Sequence, residues 1–152
     1  MNTRTAGSER GIATAIEILQ AGGIVALPTE TVYGLAGEAL SPEACAAIFE
    51  AKDRPLSDPL IVHLPSLEWL SRLTSPSPLA LALAEKFWPG PLTMILNKAI
   101  DVPDEATAGL QTIAVRSPMH PVARALLYAV DGPISAPSAN RSGHISPTIT
   151  EH

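Results

Sequence analysis

Several short polar segments of the sequence carry the residue types that bind anions. Four of the ten Lys and Arg residues, Lys52, Arg54, Arg116 and Arg141, fall within these segments, although the chain has a net charge of −5. Guanidinium and ammonium groups match carboxylate and phosphate oxygens, and nearby hydroxyl and backbone N–H groups can complete such a site. Because an acidic chain concentrates its cations there, the sequence predicts a local anion-binding site.

Each polar segment lies beside a short apolar run that predicts a β-strand. The segments are residues 28–35, 52–59, 116–121, 136–143 and 146–148, and the neighbouring strands are predicted at 24–27, 60–64, 112–115 and 133–136. Ligands of open α/β sheets bind in the crevice outside strand ends. We therefore expect the polar segments to converge where the strands end.

The remaining patterns predict the helices that must cover such a sheet. Helices are predicted at residues 9–21, 41–51, 77–87 and 121–130, and a further strand at 92–96. Ser41-Pro42-Glu43 combines an N-cap, a first-turn proline and an acid that suits the helix dipole, and Ser77-Pro78 repeats the first two signals. Strands that are apolar on both faces and alternate with helices indicate an α/β sheet covered by helices.

Composition and missing motifs exclude several classes of protein. With 46% hydrophobic and 16% charged residues in 152, the chain is not disordered as a whole, and it has neither a membrane-spanning run nor a signal peptide. The single cysteine, Cys45, excludes an internal disulfide and a multi-cysteine zinc site, and the four histidines lack metal-ligand spacing. A pI near 5.3 argues against a nucleic-acid binder. We expect a cytoplasmic domain with no metal held by the protein alone.

Some of the candidate residues also have an ordinary structural interpretation. Lys52 could offset a helix dipole, and His63, inside an apolar strand, could be a core histidine. Cys45, beside alanines, is expected to be a small core residue. A serine hydrolase with Ser138 as nucleophile and Lys52 as base is a further alternative, but no spacing in the sequence supports it.

Taken together and in order, the segments resemble the YrdC/TsaC family of threonylcarbamoyl-AMP synthases. This family begins the formation of N6-threonylcarbamoyladenosine at position 37 of tRNAs. The resemblance is carried by PTETVYGL at 28–35, KxRP at 52–55 with PLIVH at 59–63, WPGPLT at 88–93, VRxPxHP at 115–121, and APSANxSG at 136–143 with SPT at 146–148. It covers nearly the whole chain.

The resemblance implies an open, twisted, mixed α/β sheet with helices packed on it and a wide, positively charged cavity. It implies one YrdC-like domain over residues 1–152 that lacks its C-terminal portion, because family domains run some tens of residues past the SPT segment. Residues 138–152 also show no closing helix or strand in the sequence. We therefore expect the domain to be incomplete.

The resemblance also implies a reaction and a set of binding residues. L-threonine, bicarbonate or CO2, and ATP with Mg2+ would give threonylcarbamoyl-adenylate and pyrophosphate, with no organic cofactor and no membrane. The positions that match threonine-binding residues of the family are Thr31, His63, Arg116 and Ala136. Those that match nucleotide-binding residues are Lys52, Arg54, Thr112, Ser138, Asn140 and Ser146, and Lys52 and Arg54 would stabilise phosphate charge during catalysis. The expected partner beyond the substrates is tRNA or the downstream tRNA-threonylcarbamoyl transferase machinery.

One residue departs from the family, and two other functions stay open. Asp58 stands where the family commonly has Asn, so we expect it either to alter nucleotide affinity or to bind Mg2+. The first alternative is an RNA-binding module of the same fold without adenylate-forming activity. The second is a domain that forms carbamoyl-adenylate from carbamoyl phosphate, as in hydrogenase-maturation carbamoyltransferases.

Overall fold

A computed structural model of the chain describes residues 9–149. Its helices are α1 (Glu9–Gln20), α2 (Pro42–Lys52), α3 (Leu67–Leu73), α4 (Pro78–Phe87), α5 (Asp104–Thr107) and α6 (Pro121–Val130). Its strands are β1 (Val25–Leu27), β2 (Gly34–Glu38), β3 (Ile61–His63), β4 (Met94–Asn97), β5 (Thr112–Arg116) and β6 (Ile134–Ser135). No helix of this part of the chain is long and apolar enough to cross a bilayer.

The strands form one mixed sheet in the order β1-β2-β6-β3-β5-β4. Strands β3 and β5 run parallel, with His63 opposite Arg116, and the other neighbouring strands are antiparallel. Strand β6 therefore runs against β3, with Ile134 opposite His63. The mixed, open α/β sheet expected from the sequence is confirmed.

The helix boundaries follow from the predicted caps. The Ser41 hydroxyl accepts a hydrogen bond from the backbone N–H of Ala44 at 3.1 Å, and Ser77 does the same for Ala80 at 3.2 Å. Each serine precedes a proline in the first turn, as the sequence predicts. Helix α2 ends at Asp53, whose φ of 50° is left-handed. This end of the helix brings Lys52 to the loop that follows β6.

Helices cover the two faces of the sheet unequally. Helices α2 to α5 pack on one face around a core that includes Ile48, Val62 and Val115. On the other face, α1 and α6 pack over β1, β2 and β6, around residues such as Leu19, Leu126 and Ile134. Among residues 9–149 no helix packs on this second face at β3, β5 and β4, and we call this part the open face; Ile95 on β4 is 72% exposed there.

The open half of the sheet carries the side chains that alternate with core residues along each strand. Because successive side chains of a strand point to opposite faces, burial of Val62 and Val115 in the core turns His63 and Arg116 to the open side. Thr112 and Ala114 share that side with Arg116. The candidate site is therefore built on the uncovered part of the sheet.

Three elements were not expected from the sequence. Strand β2, with the sequence GLAGE, has too few large apolar residues to show a strand pattern, and α3 and α5 are short. Small residues are needed in β2 because α2 lies close against it: a Cβ atom on Gly37 would lie 3.3 Å from the Ala44 Cβ and the Ile48 Cδ1.

The polar segments do not converge at one end of the strands, and this part of the prediction is wrong. Since β6 runs against β3, the segment that follows β6 lies near the start of β3, beside residues 52–59. The segment that follows β5 begins at the opposite end of β3. The segments instead lie at the two opposite ends of β3.

Candidate active site

Arg116 is held in place at the C-terminal end of β5 by two threonines. Its Nε donates to Thr93 Oγ1 at 2.9 Å, and its Nη1 donates to Thr31 Oγ1 at 3.3 Å. A guanidinium group has five N–H donors, so three remain, including both on Nη2. Half-buried and fixed at two points, Arg116 presents a planar fork that matches a carboxylate.

Thr31 reaches Arg116 because the loop after β1 folds into a tight turn. The Thr29 hydroxyl donates to the Val32 carbonyl at 2.6 Å and accepts from the Thr31 and Val32 backbone N–H groups at 3.2 Å. Since the hydrogen of Thr29 is used, Thr31 is the donor in the 3.0 Å contact between the two hydroxyls. Thr31 can therefore accept from a ligand but has no hydrogen left to donate.

His63 lies beside Arg116 on the same face and is only 4% exposed. Burial, with a smaller contribution from the positive charge of Arg116, lowers the pKa of His63 to about 3. The imidazole is therefore neutral at physiological pH, with one donor and one acceptor nitrogen. Within residues 9–149 it makes no hydrogen bond, so it differs from the hydrogen-bonded core histidine of the structural alternative.

This depressed pKa predicts a loss of stability in mild acid. The unfolded chain takes up a proton at His63 below about pH 6.5, whereas the folded chain does not until about pH 3. Because the unfolded state binds more protons in this window, stability falls as the pH is lowered, by about 2 kcal/mol between pH 8 and pH 5. In denaturant melts, His63→Gln should remove this part of the loss and His144→Gln, at an exposed position, should not. Equal losses in both variants would contradict the prediction.

Lys52 is a buried cation that holds the loop after β6. It is 1% exposed, and its Nζ donates to the backbone carbonyls of Ser138 and Asn140. The Lys52 carbonyl accepts in turn from the Ser142 N–H at 3.2 Å. Burial, and then the charge of Arg54, lowers the pKa of Lys52. One of its three N–H donors remains for a ligand.

Arg54 fixes the segment that leads into β3. Its Nε donates to the Asp58 carbonyl at 3.1 Å and its Nη2 to the Pro59 carbonyl at 3.0 Å. Both bonds use the backbone, so they leave the Asp58 carboxylate without a cation from Arg54. Nη1 and one N–H of Nη2 stay available for an anion.

Asn140 stabilises the same loop with its amide nitrogen. Nδ2 donates to the carbonyls of Arg141 and His144, both at 2.8 Å, and this fixes the orientation of the amide because only nitrogen can donate. Oδ1 is buried and has no hydrogen-bond partner among the described groups. Toward a ligand, Asn140 can therefore only accept a hydrogen bond.

The loop also pairs with the chain at the start of β2, and it lines an open cavity. Backbone N–H groups of Tyr33 and Leu35 donate to Pro147 and Pro137, and Ala139 donates back to Tyr33, at 2.8–2.9 Å. The cavity has a volume of about 510 Å³, and its lining is Asn140, Arg141, His144, Ile145 and Ser146.

The residues predicted from the sequence thus fall into two groups at the two ends of β3. Thr31, His63 and Arg116 form the first group, and the second comprises Lys52, Arg54, Asp58, Ser138 and Asn140 with Ser146 on the cavity wall. Ala136 lies between them, with its backbone N–H donating to Ile61. Thr112 lies four residues before Arg116 on β5, about 13 Å away along the strand.

Two residues of the site were not predicted. Thr93 supports Arg116 directly, and its place in the WPGPLT motif was the signal that could have found it. Glu30 lies between Thr29 and Thr31 with both carboxylate oxygens buried and unpaired. The sequence shows its position in PTETVYGL but not its burial.

The described region contains no side-chain cluster that would support metal or thiol chemistry. Residues 9–149 contain no group of three His, Cys, Asp or Glu side chains that could hold a metal ion. Cys45 is fully buried, and burial raises the pKa of its thiol to about 11. The expectation that Cys45 is a core residue is confirmed.

The fold and the site together define a class: a mixed α/β domain with a cation-lined cradle on the uncovered half of its sheet. Residues 17–152 match the Sua5/YciO/YrdC family, whose description is "Telomere recombination". The chain belongs to this family, which confirms the resemblance found in the sequence.

Individual relatives agree with this assignment. Threonylcarbamoyl-AMP synthase of Pyrococcus abyssi is 48% identical over 153 residues, covering all of this chain and 45% of that protein. The enzyme of the same name from Bacillus subtilis is 49% identical over 143 residues, covering 93% of this chain and 41% of that protein. The structure of P. abyssi Sua5 complexed with L-threonine superposes with a TM-score of 0.92 at 48% identity, covering all of this chain and 45% of that one. This chain spans less than half the length of these relatives.

Proposed function

We propose that this domain carries the adenylate-forming site of a threonylcarbamoyl-AMP synthase. In this reaction L-threonine, bicarbonate or CO2, and ATP give threonylcarbamoyl-adenylate and pyrophosphate, for the modification of tRNA. The observation that carries the proposal is the pair of cationic groups at the two ends of β3: Arg116 at one end, and Lys52 with Arg54 at the other. Two observations on relatives support the proposal: they are named threonylcarbamoyl-AMP synthase, and the structure of one of them contains L-threonine.

The Arg116 end suits the amino acid. The free Nη edge of Arg116 would bind the threonine carboxylate through two parallel hydrogen bonds. Thr31, which can only accept, would take a hydrogen from the threonine hydroxyl or ammonium group. Neutral His63 would form a further hydrogen bond without repelling the ammonium group. The backbone around Ala136 would complete this end.

The Lys52 end suits a triphosphate and its sugar. The remaining N–H donors of Lys52 and Arg54, with the hydroxyls of Ser138 and Ser146, would bind phosphate oxygens. Asn140 Oδ1, which only accepts, would take a donor such as a ribose hydroxyl rather than phosphate. Thr112 would contact the nucleotide from β5. Mg2+ would arrive on the ATP phosphates and offset their charge, and Asp58 carries the oxygen ligand type that Mg2+ prefers.

The chemistry then needs positioning more than it needs a protein nucleophile. The threonine ammonium group would lose a proton to water, and the neutral amine would add to CO2 and release a second proton as the carbamate forms. A carbamate oxygen would then attack the α-phosphorus of ATP as the bond to the β-phosphate oxygen breaks. The products are threonylcarbamoyl-AMP and pyrophosphate. Holding both substrates on one face and stabilising phosphate charge with Lys52 and Arg54 is the kind of catalysis seen in other phosphoryl transfers.

Pyrophosphate release tests the proposal. With ATP, Mg2+, bicarbonate and L-threonine present, we expect release that stops when either threonine or bicarbonate is omitted, together with a threonylcarbamoyl-AMP peak in mass spectrometry. ATP hydrolysis that ignores threonine would contradict the proposal. Carbamoyl phosphate in place of bicarbonate and threonine tests the carbamoyl-adenylate alternative in the same assay.

A tRNA titration tests the remaining alternative. Tight binding that weakens steeply with salt, without adenylate formation, would favour the RNA-binding module. The net charge of −5 argues against that outcome.

A further inference from the structure

Glu30 carries a carboxylate that the folded chain buries and leaves unpaired. Neither Oε1 nor Oε2 accepts a hydrogen bond from any described group, and both are shielded from solvent. Burial of an unpaired carboxylate is strongly unfavourable because the charge loses its hydration and gains nothing in return. Such a group is retained where a ligand supplies the missing partner, so Glu30 requires a functional explanation.

The position of Glu30 in the fold suggests this functional explanation. Glu30 lies at the tip of the turn that Thr29 closes through hydrogen bonds to Thr31 and Val32. The next residue, Thr31, accepts from Arg116. The carboxylate is thus attached to the rigid loop that reaches the guanidinium group, yet the two form no ion pair: among residues 9–149 the ion pair is Lys98–Asp104.

The groups that contact or face Arg116 leave one charge unmatched. Thr31, Thr93 and His63 are neutral, so a zwitterion that binds its carboxylate to Arg116 meets no counter-charge there for its ammonium group. We propose that Glu30 is that counter-charge and binds the α-ammonium group of the amino-acid substrate. This inference rests on the proposed function and adds a specificity-determining residue to it.

The isosteric change Glu30→Gln tests the inference by calorimetric titration with L-threonine. We expect the Kd for threonine to rise by about tenfold or more, equal to about 1.4 kcal/mol, with the Kd for ATP within about twofold of the parent. Glu85→Gln, at an exposed site on α4, is the matched control and should bind threonine as the parent does. Unchanged threonine affinity in Glu30→Gln would overturn the inference.

Thermal melts separate this role from a structural one. If Glu30 waits for a ligand, the neutral amide relieves an unpaired charge, and the ligand-free variant should melt a few degrees higher than the parent. A structural carboxylate would give a lower melting temperature instead. Glu30→Asp keeps the charge on a shorter side chain and should retain part of the threonine affinity. An affinity no better than that of Glu30→Gln would count against the charge itself.

A substrate analogue makes the test specific to the ammonium group. In 2,3-dihydroxybutanoate a hydroxyl replaces the amine, and the parent should prefer threonine over it by about tenfold or more. Glu30→Gln should lose most of this preference, and a retained preference would overturn the inference. A parent protein that binds no threonine would overturn the proposed function as well, whereas threonine binding that ignores Glu30 would overturn only the inference.

Discussion

Replacing Arg116 with alanine is expected to weaken threonine binding by about 100-fold or more, which corresponds to about 2.7 kcal/mol. The variant removes the two-pronged partner of the threonine carboxylate, whose position Thr93 and Thr31 fix at 2.9 and 3.3 Å. The proposed ATP site lies at the other end of β3, so the Kd for ATP should stay within about twofold. Titrations with each substrate separately measure the two effects.

Two further variants help to interpret the effect of Arg116→Ala on threonine binding. Arg116→Lys keeps the charge but loses the planar fork, so it should recover only part of the affinity. Arg72→Ala, on α3 and away from the open face, is the matched control and should behave as the parent. Parallel losses of threonine and ATP affinity in Arg116→Ala would show that the residue supports the fold of the site rather than one substrate.

Replacing Lys52 with methionine should weaken ATP binding by about 100-fold. The change removes a positive charge close to the expected phosphates, and it leaves the Ser138 and Asn140 carbonyls without their donor. Both effects act on the loop that carries Ser138, Asn140 and Ser146. The Kd for threonine should change far less, because the side chains of Arg116 and Thr31 bond to Thr93, Thr29 and each other rather than to this loop.

Hydrogen exchange distinguishes the two contributions of Lys52. The amides of Ala139 and Ser142 donate to Tyr33 and Lys52 carbonyls, at 2.8 and 3.2 Å, and should exchange faster if the ammonium group holds the loop. Lys86→Met, at an exposed position on α4, should leave both exchange and ATP affinity unchanged. If Lys52→Met binds ATP as the parent does, the role assigned to Lys52 is wrong.

The local elements of this fold were predictable because their signals are local. Ser41-Pro42 and Ser77-Pro78 begin α2 and α4 as capping chemistry predicts, and the apolar runs before Pro28 and around Val62 are strands. Strand β2 was not predicted because its small residues are required by the close approach of α2 and do not have a high strand propensity.

The residue types and order of the segments were also sufficient to identify the family and to single out the cations proposed for the site. Lys52, Arg54 and Arg116 stand out in an acidic chain, and the five motifs are local strings of sequence. The sequence could not show that two N–H donors of Lys52 are used by carbonyls 86 and 88 residues away. Nor could the sequence show that Thr93 accepts a hydrogen bond from Arg116 and holds it in place.

The sequence by itself thus determined the fold class, the boundaries of the capped helices α2 and α4 and the family, because composition, capping and motifs are properties of neighbouring residues. Only the tertiary structure decided that the candidate residues fall into two groups at opposite ends of β3, since that follows from the antiparallel course of β6 against β3. It also decided which donors and acceptors remain free, among them the unpaired Glu30 carboxylate. Burial and hydrogen-bond partners depend on contacts between distant parts of the chain, and local sequence patterns do not record them.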